Sequence, residues 1–364
     1  MLPNFRPTYL VAEAESKPVR LLTFWILLTG WLSLPLFAQQ VTAPQALPVQ
    51  GTSAPLAALQ LEPSRSTELE SALNRRDYKR AETILLEETR RDPTSARSAK
   101  LYTLVGHILF LDGQYLNSAI AWKKAEAIAS LDDQTRFSLA MAYLRLNRPD
   151  WGRDELQRLS LGDPQKPLYL YWLAKLDYDA RAYTTAVSRL RRVIELDPHM
   201  MRAYNNLGLC YDSLGQFDEA IQSFTRAIEL NHGQTQPSAW PPLNLAVSLM
   251  SLNRLDEAAA RLHEALGYNP QFPQAEYELG LVLEKERKFE EAIAPLLRAI
   301  ELDPLYAEPH YTLGRIYQRQ GKREKAQEEI EKFKNLRKAP PLQSPALNEI
   351  MPPGGVPLQD RPVP

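Results

Sequence analysis

Side chains that can ligate a metal, attack a substrate or carry a proton are sparse in these 364 residues. Histidine occurs five times, at His107, His199, His232, His263 and His310. Two histidines that hold a zinc ion on one helix face must lie four residues apart, and no pair here does. The single cysteine, Cys210, excludes an intramolecular disulfide or a thiolate metal cluster. It falls beside Leu207 and Tyr211 on an apolar helix face, which predicts an enclosed, inert thiol rather than a nucleophile. No GxSxG elbow, HExxH pair or phosphate-cradling glycine loop occurs. Acidic pairs such as Glu290-Glu291 and Glu328-Glu329 read as solvated helix charges, not as general acids in a cleft. The expectation is a chain that is not an enzyme and has no metal site and no cofactor.

Charge narrows the partners further. Lys and Arg total 43 against 44 Asp and Glu, a net charge of -1. That balance provides no basic field for nucleic acid, so a nucleic-acid partner is not expected. Glycine, at only 15 residues, sits mainly at packing and corner positions, leaving little of the loop material from which active sites are built. What remains is a surface made by regular elements.

Those elements are clearest in residues 203–230, AYNNLGLCYDSLGQFDEAIQSFTRAIEL. Tyr204, Leu207, Gly208 and Tyr211 share one face of a first helix; Phe217, Ala220, Phe224 and Ala227 share one face of a second, with the corner at Gly215. A lone hairpin of this kind leaves half its apolar surface in water and needs neighbours of its own type. They exist: Ala81, Ser118, Gly152, Ala186, Ala220, Ala258, Ala292 and Ala326 mark eight units, 34 residues apart except where short insertions fall before Ala99 and at residues 233–238. A second small position recurs at Gly106, Ala140, Ala174, Gly208, Ala246, Gly280 and Gly314, where two helix backbones must approach closely. Asp-Pro or Asn-Pro closes most units, at Pro93, Pro164, Pro198, Pro270 and Pro304; proline ends one helix and suits the turn into the next.

The 34-residue period, the Leu-Gly-x-x-Tyr of the first helix and the Ala-x-x-x-Phe-x-x-Ala of the second resemble the tetratricopeptide repeat over residues 62–338. The resemblance implies an all-α fold, a right-handed superhelical solenoid of about eight helix-turn-helix repeats. Departures fall at the ends: Glu88 stands where other units have Ala or an aliphatic, and Phe333 where the last unit closes, as end caps facing water allow. Pro149 opens a second helix, Pro241, Pro242, Pro273 and Pro309 lie in first turns, and Pro295 falls inside a second helix, where it removes one hydrogen bond.

The resemblance also implies a concave groove lined by first-helix positions not used for packing. The candidate groove residues are Phe110, Phe137, Met141, Tyr171, Trp172, Tyr178, Asn205, Asn206, Trp240 and Asn244. The N-terminal half of the stripe is aromatic and apolar, and the C-terminal half, with Asp212, Tyr277, Glu278, Glu284, Tyr311 and Arg315, is mixed and charged. Rigid rings in a groove suit a peptide or a partner helix, or else pack against a neighbouring unit's second helix. Asn206 and Asn244 occupy one place in successive units, and in some tetratricopeptide proteins asparagines there grip the backbone of a bound peptide. The charged clamp that recognises chaperone C-terminal carboxylates is not matched.

Outside the repeats, residues 1–38 read as a secretory signal peptide or an uncleaved membrane anchor: Arg6, Lys17 and Arg20 precede an uncharged apolar run at 21–37, followed by Ala38. Residues 39–61 read as a flexible linker rich in Pro, Ala and Gln, and 339–364 as a disordered Pro-rich tail. The expectation is thus an exported protein, periplasmic or secreted and possibly membrane-anchored by its N-terminus, that serves as a non-enzymatic interaction scaffold in the cell envelope for a protein or peptide partner. The alternative is an accessory subunit that positions an envelope-modifying or secretion enzyme.

Overall fold

The computed structural model describes residues 59–338. The expectations for 1–38, most of 39–61 and 339–364 lie outside the described residues. Within them, sixteen α-helices form eight hairpins with no strand. They are α1 (Pro63–Asn74) with α2 (Tyr78–Thr89), α3 (Ala96–Leu111) with α4 (Tyr115–Glu126), and α5 (Asp133–Arg145) with α6 (Pro149–Gly162). Next come α7 (Pro167–Asp179) with α8 (Tyr183–Leu196), α9 (Met201–Ser213) with α10 (Phe217–His232), and α11 (Trp240–Ser251) with α12 (Leu255–Tyr268). The last two are α13 (Pro273–Lys285) with α14 (Phe289–Leu302), and α15 (Ala307–Arg319) with α16 (Arg323–Lys338).

Every corner uses one backbone device. The residue after each first helix's C-cap takes a left-handed conformation, at Arg76, Gly113, Asn147, Arg181, Gly215, Asn253, Arg287 and Gly321, with φ between 55° and 76°. The next amide then reaches back five residues, as in Gln114 N to Leu109 O at 2.8 Å and Gln216 N to Tyr211 O at 2.9 Å. This Schellman geometry satisfies carbonyls that the helix end would leave bare. Four of the seven turns between units share a second device. The side chains of Asp163, Asp197, Asn269 and Asp303 each accept from the amide two residues on, at 3.0 to 3.1 Å, across the proline that ends the unit.

Packing within a hairpin follows from the small residues. A Cβ added to Gly208 would lie 2.6 Å from the Phe224 ring, and one added to Gly106 would lie 2.4 Å from Trp122 Nε1. Phe224 and Trp122 are themselves fully enclosed, so each ring occupies the space a side chain would take. Second helices carry narrow apolar stripes, for example Ala186, Val187, Leu190 and Val193 in α8. Each helix packs on the next along the chain, within and between hairpins. First helices also touch one another, α3 with α5, and α7, α9, α11, α13 and α15 in sequence, whereas no two second helices approach as closely. The stack is a solenoid with the first helices as one shared layer.

Charges stitch the units together. Arg136 of α5 pairs with Glu126 of α4 at 2.8 Å and Glu155 of α6 at 2.6 Å. Asp177 of α7 lies between Arg153 of α6, at 2.6 Å, and Arg189 of α8. Glu88 is not an end residue left to solvent: it is enclosed and paired with Arg97 at 2.6 Å, and Arg97 Nε also donates to Leu59 O at 2.9 Å. Leu59, at the end of the stretch read as linker, belongs to the first apolar cluster with Leu69, Ile84 and Leu101. The insertion at 233–238 is closed by buried Asn231, whose amide donates to Ser238 O and accepts from Ser238 N, both at 2.8 Å. α10 runs on to His232, whose ring lies 3.1 Å from Glu264.

Candidate functional site: the first-helix layer

The first-helix layer is built in register. The position of Asn206 in α9 recurs as Ser138 in α5, Trp172 in α7, Asn244 in α11, Glu278 in α13 and Thr312 in α15. Side chains at one position in successive units thus form a row across the layer.

The structure brings three of the six candidate aromatics together, Phe137, Tyr171 and Trp172, and puts those three under the surface. Phe137 lies between Tyr169, at 6.0 Å between ring centroids, and Trp172, at 6.4 Å. Trp172 is edge-on to Tyr171 at 6.0 Å and carries Lys175 Nζ 4.9 Å from its ring centre. Met141 is fully enclosed and presents no surface to a ligand in this conformation. These rings pack between the first helices α5 and α7, which is the neighbour-unit reading, with first helices as the neighbours rather than second ones. Phe110 is half-buried against Tyr115 and Trp122, at 5.2 and 5.9 Å. Tyr178 and Trp240 are also half-buried, against Tyr183 at 5.3 Å and Phe272 at 4.8 Å. Burial pushes the Tyr178 hydroxyl up to about 12, even though Ser213 Oγ donates to it at 3.3 Å.

The asparagines separate into two kinds. Asn244 Nδ2 donates to Asn205 Oδ1 at 3.0 Å, a buried bond between α11 and α9 that fixes adjacent units. Asn206 is only 2% exposed, yet neither its Oδ1 nor its Nδ2 has a hydrogen-bond partner among the described residues. Cys210, one turn further on, is fully buried, and burial pushes its thiol up to about 12, so it stays protonated. His107, in the second unit, sits edge-on to Trp122 at 5.2 Å, and burial lowers its pKa, so its imidazole is neutral.

The carboxylates also divide. Glu88, Glu155, Asp177 and Glu284 are buried and each pairs with an arginine, Glu284 with Arg315 of the following unit. Asp179, Asp212 and Glu278, on α7, α9 and α13, have no ion pair among the described residues. Asp212 accepts from Ser248 Oγ at 2.5 Å. Desolvation raises all three carboxyls above their ordinary range, opposed by Lys175 near Asp179, by the Ser248 bond at Asp212 and by Lys285 near Glu278; Asp179 is nonetheless exposed, Asp212 is half-buried, and Glu278, also half-buried, is pushed up to about 7. Sequence reasoning placed Asp212 and Glu278 on the stripe and missed Asp179. The signal was an acidic residue late in a first helix, one turn after Lys175.

A layer of first helices with enclosed amides and carboxylates, backed by second helices, defines a helical-repeat interaction scaffold. More specifically, residues 202–234, 243–307 and 296–328 match family models of the tetratricopeptide repeat, so the fifth to eighth hairpins are similar to repeats of that type. BBSome complex member BBS4 of Xenopus tropicalis is 29% identical over 106 residues, which is 29% of this chain and 20% of that protein. This chain therefore spans a small part of that relative's length. A tetratricopeptide repeat protein from Parabacteroides merdae superposes with a TM-score of 0.57 at 15% identity, covering 71% of this chain and 99% of the other. PilW, described as a widely conserved type IV pilus biogenesis factor, gives 0.51 at 20% identity, covering 54% and 90%. At these identities the likeness is one of fold.

Proposed function

We propose that this chain is a non-enzymatic scaffold of the cell envelope that holds an extended peptide segment of a partner against the first-helix layer of units four to seven. The observation that carries this reading is Asn206. A buried amide with no partner costs ~1–3 kcal/mol, and native folds rarely retain one without a reason. A peptide backbone offers a carbonyl and an N–H within one residue, the two groups that the amide's donor and acceptor can bond whatever the partner's sequence once the side chains covering Asn206 move aside. Tyr178 and Trp240, half-buried on the flanking first helices α7 and α11, supply rigid apolar surface in the same layer. The envelope location rests on the charged start, the apolar run at 21–37 and Ala38.

A photo-crosslinking amino acid in place of Trp240, introduced in source cells, tests this. An adduct should form with a partner and disappear when Asn206→Ala is added, with helical circular dichroism unchanged. Adducts that persist unaltered in the Asn206→Ala background, or that form equally from Leu116 on a second helix, refute the reading.

A further inference from the structure

One row of the first-helix layer ends uncovered. The place of Asn205 in α9 is held by Phe137 in α5, Tyr171 in α7 and Leu243 in α11, and these four side chains are between 2% and 8% exposed, each unit being packed against the next. Tyr277 in α13 is half-buried, with the ring of Tyr306 from the following turn 5.2 Å from its own. Tyr311 holds the same place in α15 and is 44% exposed, since no first helix follows α16 among the described residues. A terminal unit is expected to turn polar side chains to water, as Gln318 and Arg319 do. Tyr311 instead stacks on Phe333 of α16 at 5.1 Å, an aromatic pair left at the edge of the layer.

The chain's own continuation is placed to cover that pair. Arg337 Nη1 lies 3.6 Å from Glu308 Oε1, so α16 ends beside the first turn of α15, one turn from Tyr311. Phe333 stands five residues before Lys338, ~8 Å along the helix axis. From Lys338 the sequence runs on as Ala-Pro-Pro-Leu-Gln-Ser-Pro, residues 339–345, with two prolines that oppose extension of α16. The 34-residue period sets Phe272, Tyr306 and Pro340 at one place in successive units. Phe272 stacks on Trp240 of its own unit's first helix at 4.8 Å, and Tyr306 on Tyr277, 29 residues before it. Tyr311 is likewise 29 residues before Pro340. We infer that residues 339–345 turn back across the first helix of the last unit, with Pro340 and Pro341 on the Tyr311–Phe333 pair, and so close the C-terminal end of the first-helix layer. Proline-rich segments dock on aromatic surface, and their preformed backbone loses little entropy in doing so. The contact needs no peptide on units four to seven and forms whether or not one binds there.

The test places a diazirine-bearing amino acid at Leu342 of the purified full chain and maps the adducts formed on irradiation by mass spectrometry. Intramolecular adducts should fall on Tyr311, Phe333 and residues within one turn of them, at a yield independent of protein concentration. Glu331 and Asn335, exposed on the opposite side of α16, should be spared. The yield should drop at least fivefold on Tyr311→Ala, with helical circular dichroism unchanged. Pro340→Gly combined with Pro341→Gly should give the same drop while leaving every described residue as it is. Adducts shared evenly with Glu331 and Asn335, as from a tether that does not dock, overturn the inference. So do adducts to a second copy that rise with concentration, a yield that neither variant lowers, and irradiation that gives no protein adduct. Each of these results leaves the peptide site on units four to seven standing.

Discussion

Glu278→Gln should make the free protein more stable, and only where the native carboxyl is ionised. Burial holds this group at about 7 against an ordinary 4.5. A pKa raised in the folded state means that the folded chain binds the proton more tightly than the unfolded one. Stability is therefore highest below the unfolded value and falls as pH rises from 4.5 through 7. At ~1.4 kcal/mol per unit, the full difference is ~3 kcal/mol above pH 7, and water at the half-buried edge reduces it to about 2 kcal/mol. Unfolding entropy of ~2.1 cal/mol/K per residue over about 280 ordered residues converts this to a rise in Tm of ~3 °C. The isosteric amide removes the charge and keeps the size and shape of the side chain. Melts followed by circular dichroism at pH 8 and at pH 4 give the answer, since changes elsewhere in the chain are common to both proteins and cancel. A gain at pH 8 that vanishes at pH 4 is expected. Equal Tm values at both pH values, or a loss at pH 8, would refute the argument that Glu278 stands enclosed without a counter-ion.

The remaining expectations concern the scaffold. Asp177→Asn leaves Arg153 and Arg189 facing each other between units three and four and should lower stability by about 2 kcal/mol, measured by urea titration. Gly208→Ala drives a methyl into the enclosed Phe224 ring and should cost ~1–3 kcal/mol in the same assay despite alanine's better helix propensity. Arg287→Gly relieves a left-handed side-chain residue at the seventh corner and should raise stability by ~0.5–1 kcal/mol, whereas Gly215→Arg at the equivalent corner should lower it by a similar amount. Asn206→Ala, if the amide is unsatisfied in the free protein, should raise the Tm slightly while abolishing peptide capture; a clear drop in Tm would show that the amide has a structural partner.

Much of the layer's chemistry was not legible along the chain. Asn206 and Asn244 are identical in register and residue type, and periodicity treats them alike. They differ because Asn244 reaches Asn205, 39 residues away, and Asn206 reaches no partner among the described residues. The aromatics at Phe137, Tyr171 and Trp172 fit both a ligand-facing stripe and a contact between units, since both demand rigid apolar side chains on first helices. Only their packing across α5 and α7 distinguishes the two. Glu88 looked like an irregular end residue because its partner Arg97 lies beyond a turn, in the next unit.

The sequence by itself determined the repeat: sixteen helices, eight corners and the small residues that set the distance between backbones. These depend on spacings of three, four and 34 residues, which a linear chain displays directly, and each unit packs by the same rules as the one before. The tertiary structure decided which polar groups of the first-helix layer are satisfied. A hydrogen bond or ion pair depends on a few ångströms between side chains a full unit apart, and a repeat pattern places those side chains side by side without settling which of them meet.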